Sequence, residues 1–325
     1  MFTVNGIQVN TRAVVAAALL FSSGANAQTY PSKPLRWIVP TGPGSAVDVN
    51  ARRVTPRLAE ALGQPVIVEN RPGANSMIGA REAARSAPDG YTLYQAVVNN
   101  SINDALAADP CCTLNDKLVP VTRLYTTPLV MVVNPAVEAA TLREYVAFAK
   151  ANPGALTYAS GGSGAITQMV GELLKLTAGI QVREIPYKAI GAELPDLTGG
   201  HVATAFLSPV VIRDLVRSGK LRALGVADKQ RLAILPDVPT LAEGGVPIEG
   251  LGWNGIFVPA GTPQPVIERL QAEISKVLRS KELQDESATL GTVAGGESPQ
   301  EFAAFVRGEV QKWGKVIRDA GIKAE

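Results

Sequence analysis

The chain has 325 residues, of which 46% are hydrophobic and 18% charged, and these proportions are typical of a globular protein. A net charge of +2 and an aromatic content of 5% provide neither the basic excess nor the stacking side chains that nucleic-acid binding requires. With one histidine, His201, and two cysteines, Cys111 and Cys112, the sequence excludes a metal site rich in those residues and leaves little room for a Ser-His-Asp triad. No cofactor is predicted.

The first 27 residues have the organisation of a secretory signal. Arg12 precedes an apolar run at 13–21, and the small residues that follow end in Ala25-Asn26-Ala27. This A-x-A pattern predicts cleavage after Ala27. The apolar run is too short to span a bilayer as a stable helix, although an uncleaved membrane anchor is the alternative. We therefore predict export to an oxidising compartment.

The two cysteines are adjacent in the sequence. Neighbouring Cα atoms lie about 3.8 Å apart, which is less than the usual span of a disulfide. A bond between Cys111 and Cys112 would therefore close a strained ring. The geometry favours the other interpretation, a loop with two unbonded or partly oxidised thiols, and neither interpretation makes the pair catalytic.

Short apolar or alternating runs recur along the chain, and β-branched residues dominate several of them, as in buried strands. The predicted strands are Leu35–Val39, Val66–Val68, Thr92–Val98, Leu129–Val133, Leu156–Ala159, Val182–Ile185, Val202–Leu207, Leu221–Val226 and Gly255–Val258. Helical patterns separate these strands. Such alternation predicts an α/β fold with sheets that helices cover on both faces.

Several predicted helices begin at a capping box, in which a Ser or Thr caps a free backbone N–H and a Glu three residues later reaches back. These boxes begin at Thr141, Thr240 and Ser298. The first helix is less regular, because Pro56 interrupts its apolar spacing and is expected to kink or split it.

The length predicts about two domains, and no long linker separates them. Two domains without a linker usually share strands that cross between them. The plausible crossings lie near Leu124–Val130 and near Glu249–Gly255. Lobe I is therefore predicted to comprise residues 28–126 plus 254–325, and lobe II residues 127–253.

Two glycine-rich turns, each between a strand and a helix, are the candidate binding elements. They occupy residues 40–48 and 158–167. A glycine-rich turn that opens a helix exposes backbone N–H groups, and the helix dipole adds partial positive charge, so each turn is a natural anion site. Either turn alone could be merely structural. One turn in each lobe predicts a cleft that closes on an anionic ligand.

Enzyme motifs are missing from the same turns. Neither turn matches a Walker A or a G-x-G-x-x-G pattern. The sequence around Ser163 is not the G-x-S-x-G motif of a nucleophile elbow, because residue 165 is Ala. His201 follows two glycines and precedes a strand, which is more typical of a surface turn than of a general base. Asp48, at the start of a helix, can serve simply as an N-terminal cap.

Short motifs follow one another in order from residue 30 to about residue 322. They are YPSKPLR at 30–36, PTGPGSAVD at 40–48, GQPVIVENRPGA at 63–74, APDGYTL at 87–93, ANPG at 151–154, PYK at 186–188, SGKLRAL at 218–224, PDVPT at 236–240, PAGTP at 259–263 and WGK at 313–315. In this order the motifs resemble the Bug family, the solute-binding proteins of tripartite tricarboxylate transporters. The resemblance covers nearly the whole chain after the signal segment.

The resemblance implies a two-lobed periplasmic-binding-protein-like fold, in which each lobe is a sheet flanked by helices and crossover strands join the lobes. It implies a periplasmic protein that captures a small carboxylate between the lobes and delivers it to the membrane subunits of a transporter, without catalysis. The family typically takes di- and tricarboxylic acids, acidic amino acids or aromatic acids. Because binding proteins that present a closed form are usually monomers, a monomer is expected.

The resemblance places the ligand carboxylate at the first turn, held largely by backbone groups and water, and the distal end of the ligand at the second turn. Neither turn contains Arg, which suggests that dipoles and water meet the ligand charge. Two asparagines after the third strand are candidate wall residues, and a serine after a later strand could assist. The candidate ligand-binding residues are Pro40, Thr41, Gly42, Gly44, Ser45, Ala46, Asp48, Asn99, Asn100, Ser160, Gly161, Gly162, Ser163, Thr167 and Ser208.

The chain departs from the family pattern where the ligand should lie. In the family, a doubled glycine is frequent at the position of Gly44-Ser45, and an aromatic residue often follows the first proline of the turn, where this chain has Thr41. A His is common at the position of Gln168. In the family, the loop after the third strand usually consists of small residues and His, whereas this chain has the sequence VVNNS at 97–101. These departures leave the substrate open. Two other roles stay open as well: a sensor subunit that presents the closed form to a signalling partner, and a secreted α/β enzyme that uses the same cleft.

Overall fold

A computed structural model of the protein describes residues 3–4, 7–8, 30–107, 114, 116–187 and 191–323. The apolar run and cleavage site of the predicted signal, together with the Cys111–Cys112 pair, lie outside the described residues. Near the N-terminus, β1 (Thr3–Val4) and β2 (Ile7–Gln8) form a short antiparallel pair. None of the described helices combines the length and apolar composition that a membrane crossing requires.

The larger of the two main sheets contains six strands. They are β3 (Leu35–Val39), β4 (Val66–Asn70), β5 (Thr92–Val97), β6 (Leu118–Pro128), β12 (Leu251–Pro259) and β13 (Val293–Ala294). Their order is β13-β6-β12-β5-β3-β4, with β4, β3 and β5 parallel and the remaining pairs antiparallel. All residues of β5 are buried, as expected of a central strand that is covered on both faces.

The smaller sheet contains five strands. They are β7 (Val130–Val133), β8 (Thr157–Ser160), β9 (Arg183–Pro186), β10 (Thr204–Leu207) and β11 (Arg222–Val226). Their order is β11-β7-β10-β8-β9. Strands β9, β8 and β10 are parallel, whereas β7 is antiparallel to both β10 and β11.

Helices cover both sheets. Those of the described part are α1 (Ala46–Leu62), α2 (Met77–Ala84), α3 (Val98–Leu106), α4 (Leu142–Ala151), α5 (Ile166–Ala178), α6 (Leu194–Gly199), α7 (Pro209–Arg217), α8 (Gln264–Leu278), α9 (Lys281–Leu290) and α10 (Pro299–Ala320). α4 to α7 belong with the smaller sheet and the others with the larger. The predicted α/β architecture with helix-flanked sheets is confirmed.

Two chain segments connect the sheets. Strand β6 passes directly into β7, with Leu129 alone between them, and residues 227–250 lead back from β11 to β12. At this crossing Leu129 N–H donates to Gly250 O (3.0 Å), Gly250 N–H to Ala227 O (2.9 Å) and Ala227 N–H to Leu129 O (2.8 Å). The three residues therefore form a closed ring of backbone hydrogen bonds where the chain crosses between the two sheets.

One hydrophobic core extends across both lobes. Phe302 and Trp313 of α10 belong to the same buried cluster as Tyr158 and Met169 of the smaller sheet and α5. A separate cluster around Trp37 packs α1 and α8 on the other face of the larger sheet. Helix α10 therefore packs against elements of both lobes.

Some expectations from the sequence are wrong in detail. Of the two outcomes expected at Pro56, a kink or a split, the split does not occur, since α1 continues unbroken to Leu62. Because proline has no N–H, the carbonyl of Arg52 loses its partner in the helix. Arg52 and Pro56 are both exposed, so water can bind this carbonyl. At Thr240 the capping pair forms, with Glu243 N–H donating to Thr240 Oγ1 (3.1 Å), but only a turn follows.

Strand β6 includes part of the predicted crossing near Leu124–Val130 but begins earlier, at Leu118, and the predicted strands are present with small shifts in their bounds. Pro120 and Pro128 mark the segment as a poor strand former, because proline has no N–H for the ladder. The structure accommodates Pro120 opposite Phe257, next to a register shift between Ile256 and Phe257.

Candidate functional site

The carboxyl ends of the parallel strands lie at one edge of each sheet, and these two edges face each other. Strands β3, β4 and β5 end at the first edge, and β8, β9 and β10 at the second. Asn75, in the loop after β4, donates through Nδ2 to the carbonyl oxygen of Gly164, in the loop after β8 (3.4 Å). Ligands of open α/β sheets bind in the crevice outside the carboxyl ends of the strands, so this crevice is the candidate site.

The first glycine-rich turn leads from β3 into α1. Ser45 is the N-cap, and its Oγ accepts from Asp48 N–H (3.2 Å) and pairs with Thr41 Oγ1 (2.6 Å). Gly44 has a φ of 80°, and a Cβ added there would meet no neighbouring side chain or backbone within 4 Å, so its backbone conformation, not crowding, favours glycine. The N–H groups of Ala46 and Val47 lie in the first helical turn, where no intrahelical acceptor exists. The end of α1 therefore presents backbone donors to the crevice.

Asp48 anchors this turn from inside. It is 2% exposed, and its carboxylate accepts from Gly44 N–H (2.9 Å), Asn70 Nδ2 (2.8 Å) and Arg52 Nε (3.0 Å). Burial alone would raise the pKa of Asp48, but the hydrogen bonds from Arg52, Gly44 and Asn70 outweigh it and hold the pKa below its ordinary value. The ionised carboxylate is thus fully occupied in positioning the turn.

Asn70 and Arg52 complete the support of the first turn. Asn70 Nδ2 also donates to Thr41 O (3.0 Å), and Arg52 Nη2 donates to Asn70 Oδ1 (3.3 Å). Asn70 was not predicted as a site residue. Its position as the last residue of a parallel strand is the signal that could have found it, because strand ends meet at this edge.

The second glycine-rich turn leads from β8 into α5, and side chains occupy three of its backbone donors. Gly161 N–H donates to Thr167 Oγ1 (2.8 Å), Gly162 N–H to Ser160 Oγ (3.0 Å) and Gly164 N–H to Gln168 Oε1 (3.0 Å). Ala165 is the N-cap of α5 and has no side-chain cap. The first N–H groups of α5 and the half-buried Ser163 therefore remain for a ligand.

Glu184 on β9 lies behind this second turn. Ser160 Oγ donates to Glu184 Oε1, and Gln168 Nε2 donates to Glu184 Oε2 (3.3 Å). The carboxylate therefore positions Gly162 through Ser160 and Gly164 through Gln168. Glu184 was also missed by sequence reasoning, because nothing in the sequence shows that β9 is the parallel neighbour of β8.

The remaining predicted residues occupy different environments. Asn99 donates to Asn75 Oδ1 (2.6 Å), whereas Asn100 is 1% exposed and accepts Val97 N–H through Oδ1 (3.0 Å), so it caps α3 from within. Pro40 is buried, and Gly42 is half-buried in the first turn. Ser208 is the half-buried N-cap of α7 at the edge of the smaller sheet, without a side-chain cap bond.

His201, which the sequence places in a surface turn, is exposed and follows α6. Its backbone N–H donates to Asp196 O (2.8 Å), which closes the end of that helix. Among the described residues, no group of three or more His, Cys, Asp or Glu side chains is arranged to hold a metal ion. The polar groups at the crevice are therefore backbone N–H groups, hydroxyls and amides. The carboxylates of Asp48 and Glu184 hold the two turns in position.

Comparison with known protein families gives a match over most of the chain. The family described as "Tripartite tricarboxylate transporter family receptor" matches residues 50–322. Protein BugT of Bordetella pertussis (strain Tohama I) is 34% identical over 326 residues, which cover 99% of this chain and 98% of BugT.

Two solved structures with bound ligands have the same fold. The structure of R. palustris Rpa4515 with adipate has a TM-score of 0.77 and 28% identity, and the match covers 90% of this chain and 99% of that chain. The structure of MatC (Rpa3494) from Rhodopseudomonas palustris with bound malate has a TM-score of 0.75 and 27% identity, covering 89% of this chain and 100% of that chain.

Proposed function

Since this chain belongs to the family of tripartite tricarboxylate transporter receptors, we propose that it captures a small carboxylate in the crevice between its two lobes. The resemblance to the Bug proteins is thereby confirmed, and the chain is a solute-binding protein of this family. The observation that carries the proposal is the end of α1, where free N–H groups lie beside a carboxylate that is already neutralised.

Local electrostatics support a carboxylate at this helix end. The N-terminus of a helix carries roughly half a positive charge, and the free N–H groups of Ala46 and Val47 can donate directly to an oxyanion. Asp48 would repel an anion if its charge were unpaired, but Arg52 lies against it with Nε 3.0 Å from Oδ2. The first turn therefore offers donors without a net opposing charge.

The two ligand-bound relatives narrow the class of ligand. Adipate and malate differ in length and in hydroxylation, yet both are small dicarboxylates. The feature they share is the carboxylate group, which is what the end of α1 is suited to bind. We infer that one ligand carboxylate lies at Thr41, Gly44, Ser45 and Ala46, and that the distal end of the ligand contacts the turn at 160–167 and Ser208.

Capture follows from rotation of the lobes about the crossing at Leu129, Ala227 and Gly250. The ligand binds the first turn, and contacts with the second turn then favour the closed state. The shift towards closure can be no larger than the difference in ligand affinity between the two states.

The cellular setting of the proposal is the periplasm. The signal at residues 1–27 would direct export, and the mature protein would act as a monomer that presents its closed form to the membrane subunits of a transporter. The role is binding without turnover. Recovery of the bound acid unchanged by mass spectrometry, after prolonged incubation, is the expected result, whereas a chemically altered ligand would favour the enzyme alternative.

The site is tested with two substitutions of Ser45 that differ only in charge. Aspartate and asparagine are both good N-caps, so Ser45→Asp and Ser45→Asn both preserve the start of α1. Ser45→Asp places a negative charge where the ligand carboxylate would lie. We expect Ser45→Asp to abolish binding of adipate and malate by calorimetry, whereas Ser45→Asn retains binding within about tenfold.

Ser280→Asp is a matched control, because Ser280 is the N-cap of α9 and its side chain also accepts a backbone N–H. This helix lies by the C-terminal half of α1, where Glu282 pairs with Arg57. Ser280→Asp should therefore leave binding unchanged. Equal binding by wild type and Ser45→Asp would refute the assigned carboxylate position.

A further inference from the structure

The loop after β4 has an unusual backbone. Ala74, Asn75 and Ser76 are consecutive non-glycine residues with positive φ angles of 46°, 46° and 76°. The left-handed conformation is unfavourable for L-residues, although asparagine tolerates it better than most. Such a conformation persists only where the surrounding structure holds it in place.

Two side chains of the same lobe hold this loop. The Tyr94 hydroxyl lies 3.1 Å from Ser76 O, and Asn103 Nδ2 donates to Asn75 O (2.8 Å). Tyr94 is fully buried in β5, and Asn103 belongs to α3. The loop backbone is therefore attached to rigid elements on both sides of Asn75.

The amide of Asn75 is oriented as well. Asn99 Nδ2 donates to Asn75 Oδ1 (2.6 Å), and Asn75 Nδ2 donates to Asn103 Oδ1 (2.9 Å). Asn99 and Asn103 are one helical turn apart on α3 and therefore share a face. Because an amide nitrogen has two hydrogens, this arrangement leaves one of them for Gly164 O, at 3.4 Å.

Gly164 is closely fitted to this amide. It has a φ of 74°, and a Cβ at this position would lie 3.0 Å from Asn75 Nδ2 and 3.4 Å from Leu106 Cδ1. Its N–H donates to Gln168, which in turn donates to Glu184. The contact between Asn75 Nδ2 and Gly164 O, here called the inter-lobe bridge, therefore joins lobe I to the second ligand-binding turn.

We propose that Asn75 is a positioning residue that favours the closed state through the inter-lobe bridge and slows ligand release. Asn75, Asn99 and Asn103 all belong to lobe I and stay together when the lobes separate. Gly164 belongs to lobe II and moves away about the crossing at Leu129. The bridge therefore exists only in the closed state, so it adds to the affinity for every ligand. This inference rests on the proposed capture of a ligand between the lobes.

The test uses Asn75→Gly, because glycine adopts the positive φ without strain. The substitution removes the bridge together with the amide bonds to Asn99 and Asn103, which lie within lobe I and are therefore lost equally from the open and closed states. Ala74→Gly is the matched control, since it relieves the same strain at the adjacent residue and leaves the bridge intact. One part-buried neutral hydrogen bond corresponds to roughly a two- to tenfold change in affinity. We expect Asn75→Gly to raise Kd for adipate and for malate by the same factor, through a faster dissociation rate in stopped-flow fluorescence, while Ala74→Gly changes Kd by less than about twofold.

The outcomes separate the possible failures. An unchanged Kd in Asn75→Gly, or equal losses in both glycine variants, would overturn the role of the bridge. A loss restricted to one acid would show instead that Asn75 contacts the ligand. If the wild-type protein binds neither acid, the proposed function fails for these two dicarboxylates. Small-angle X-ray scattering of the ligand-free proteins still tests the bridge: Asn75→Gly should have the larger radius of gyration, and equal radii would refute the bridge.

Discussion

The two glycine-rich turns have the same sequence character but different internal support. In the first, the carboxylate of Asp48 binds the backbone N–H of Gly44 directly, with Arg52 as counter-ion. In the second, Glu184 acts at a distance, because Ser160 and Gln168 stand between it and the glycine N–H groups. A direct charged hydrogen bond is stronger than a neutral one, so we expect the first turn to be the rigid partner and the second the adaptable one.

This difference agrees with the proposed order of binding. A rigid turn loses little conformational entropy when the ligand carboxylate binds, which suits the first contact. The second turn meets the ligand only on closure and has to accommodate distal groups of different shape. From this comparison we expect lobe I to provide general carboxylate recognition and lobe II to discriminate between ligands.

The largest expected effect comes from removal of the Asp48 carboxylate. Asp48→Ala leaves Gly44 N–H without its acceptor, removes one of the two acceptors of Asn70 Nδ2 and leaves Arg52 without its counter-ion, so we expect a loss of about 2 kcal/mol in the free energy of unfolding. Urea denaturation measures this loss. Binding should disappear too, since the turn is no longer held. A stable Asp48→Ala variant with normal binding would remove the distinction between the two turns.

The same carboxylate predicts a pH dependence. The pKa of Asp48 is lower in the folded than in the unfolded protein, so its contribution to stability is complete above the ordinary Asp pKa of about 3.9 and is lost as the pH falls through the folded value. Asp48→Asn, which keeps the shape, should therefore be less stable than wild type at pH 7. The difference should narrow as the pH falls below about 4. A difference that is constant with pH would contradict the ionised anchor.

Removal of the second carboxylate should have a smaller effect. Glu184→Ala deprives Ser160 and Gln168 of their acceptor, but both keep their contacts to the glycine N–H groups, so we expect a loss of about 1 kcal/mol. Glu184→Gln retains one acceptor oxygen and should be intermediate. Calorimetry with adipate and malate should show unequal losses for the two acids, because the second turn discriminates. Losses as large as those of Asp48→Ala would mean that both turns are equally rigid.

The smallest effects concern a matched pair of threonines. Thr41→Val removes a hydroxyl pair with Ser45, and Thr167→Val removes the acceptor of Gly161 N–H. Both threonines are half-buried, and each substitution should cost about 0.5–1 kcal/mol in thermal unfolding. Only Thr167→Val is expected to alter the ratio of the two ligand affinities, and an equal change in that ratio for Thr41→Val would argue against the division of roles.

The local features of the site could be predicted from the sequence. The glycines and serines of both turns, the capping residues and the strand that precedes each turn depend on residues a few positions apart, and the structure places both turns at facing sheet edges. The full length of β6 could not be predicted: the sequence indicates only a crossing near Leu124–Val130, whereas pairing with β12 along its whole length stabilises the strand. The groups that hold the turns could not be predicted either.

By itself, the sequence determined the alternation of strands and helices, the position of the two turns and the family, because these depend on local propensity and on motif order. Only the tertiary structure decided which side chains support those turns. Asn70 reaches the first turn because β4 is the parallel neighbour of β3, and Glu184 reaches the second because β9 pairs with β8. Asn75 reaches Gly164 because the lobes cross at Leu129. Strand order and lobe orientation arise from packing of the whole chain, and no short segment encodes them.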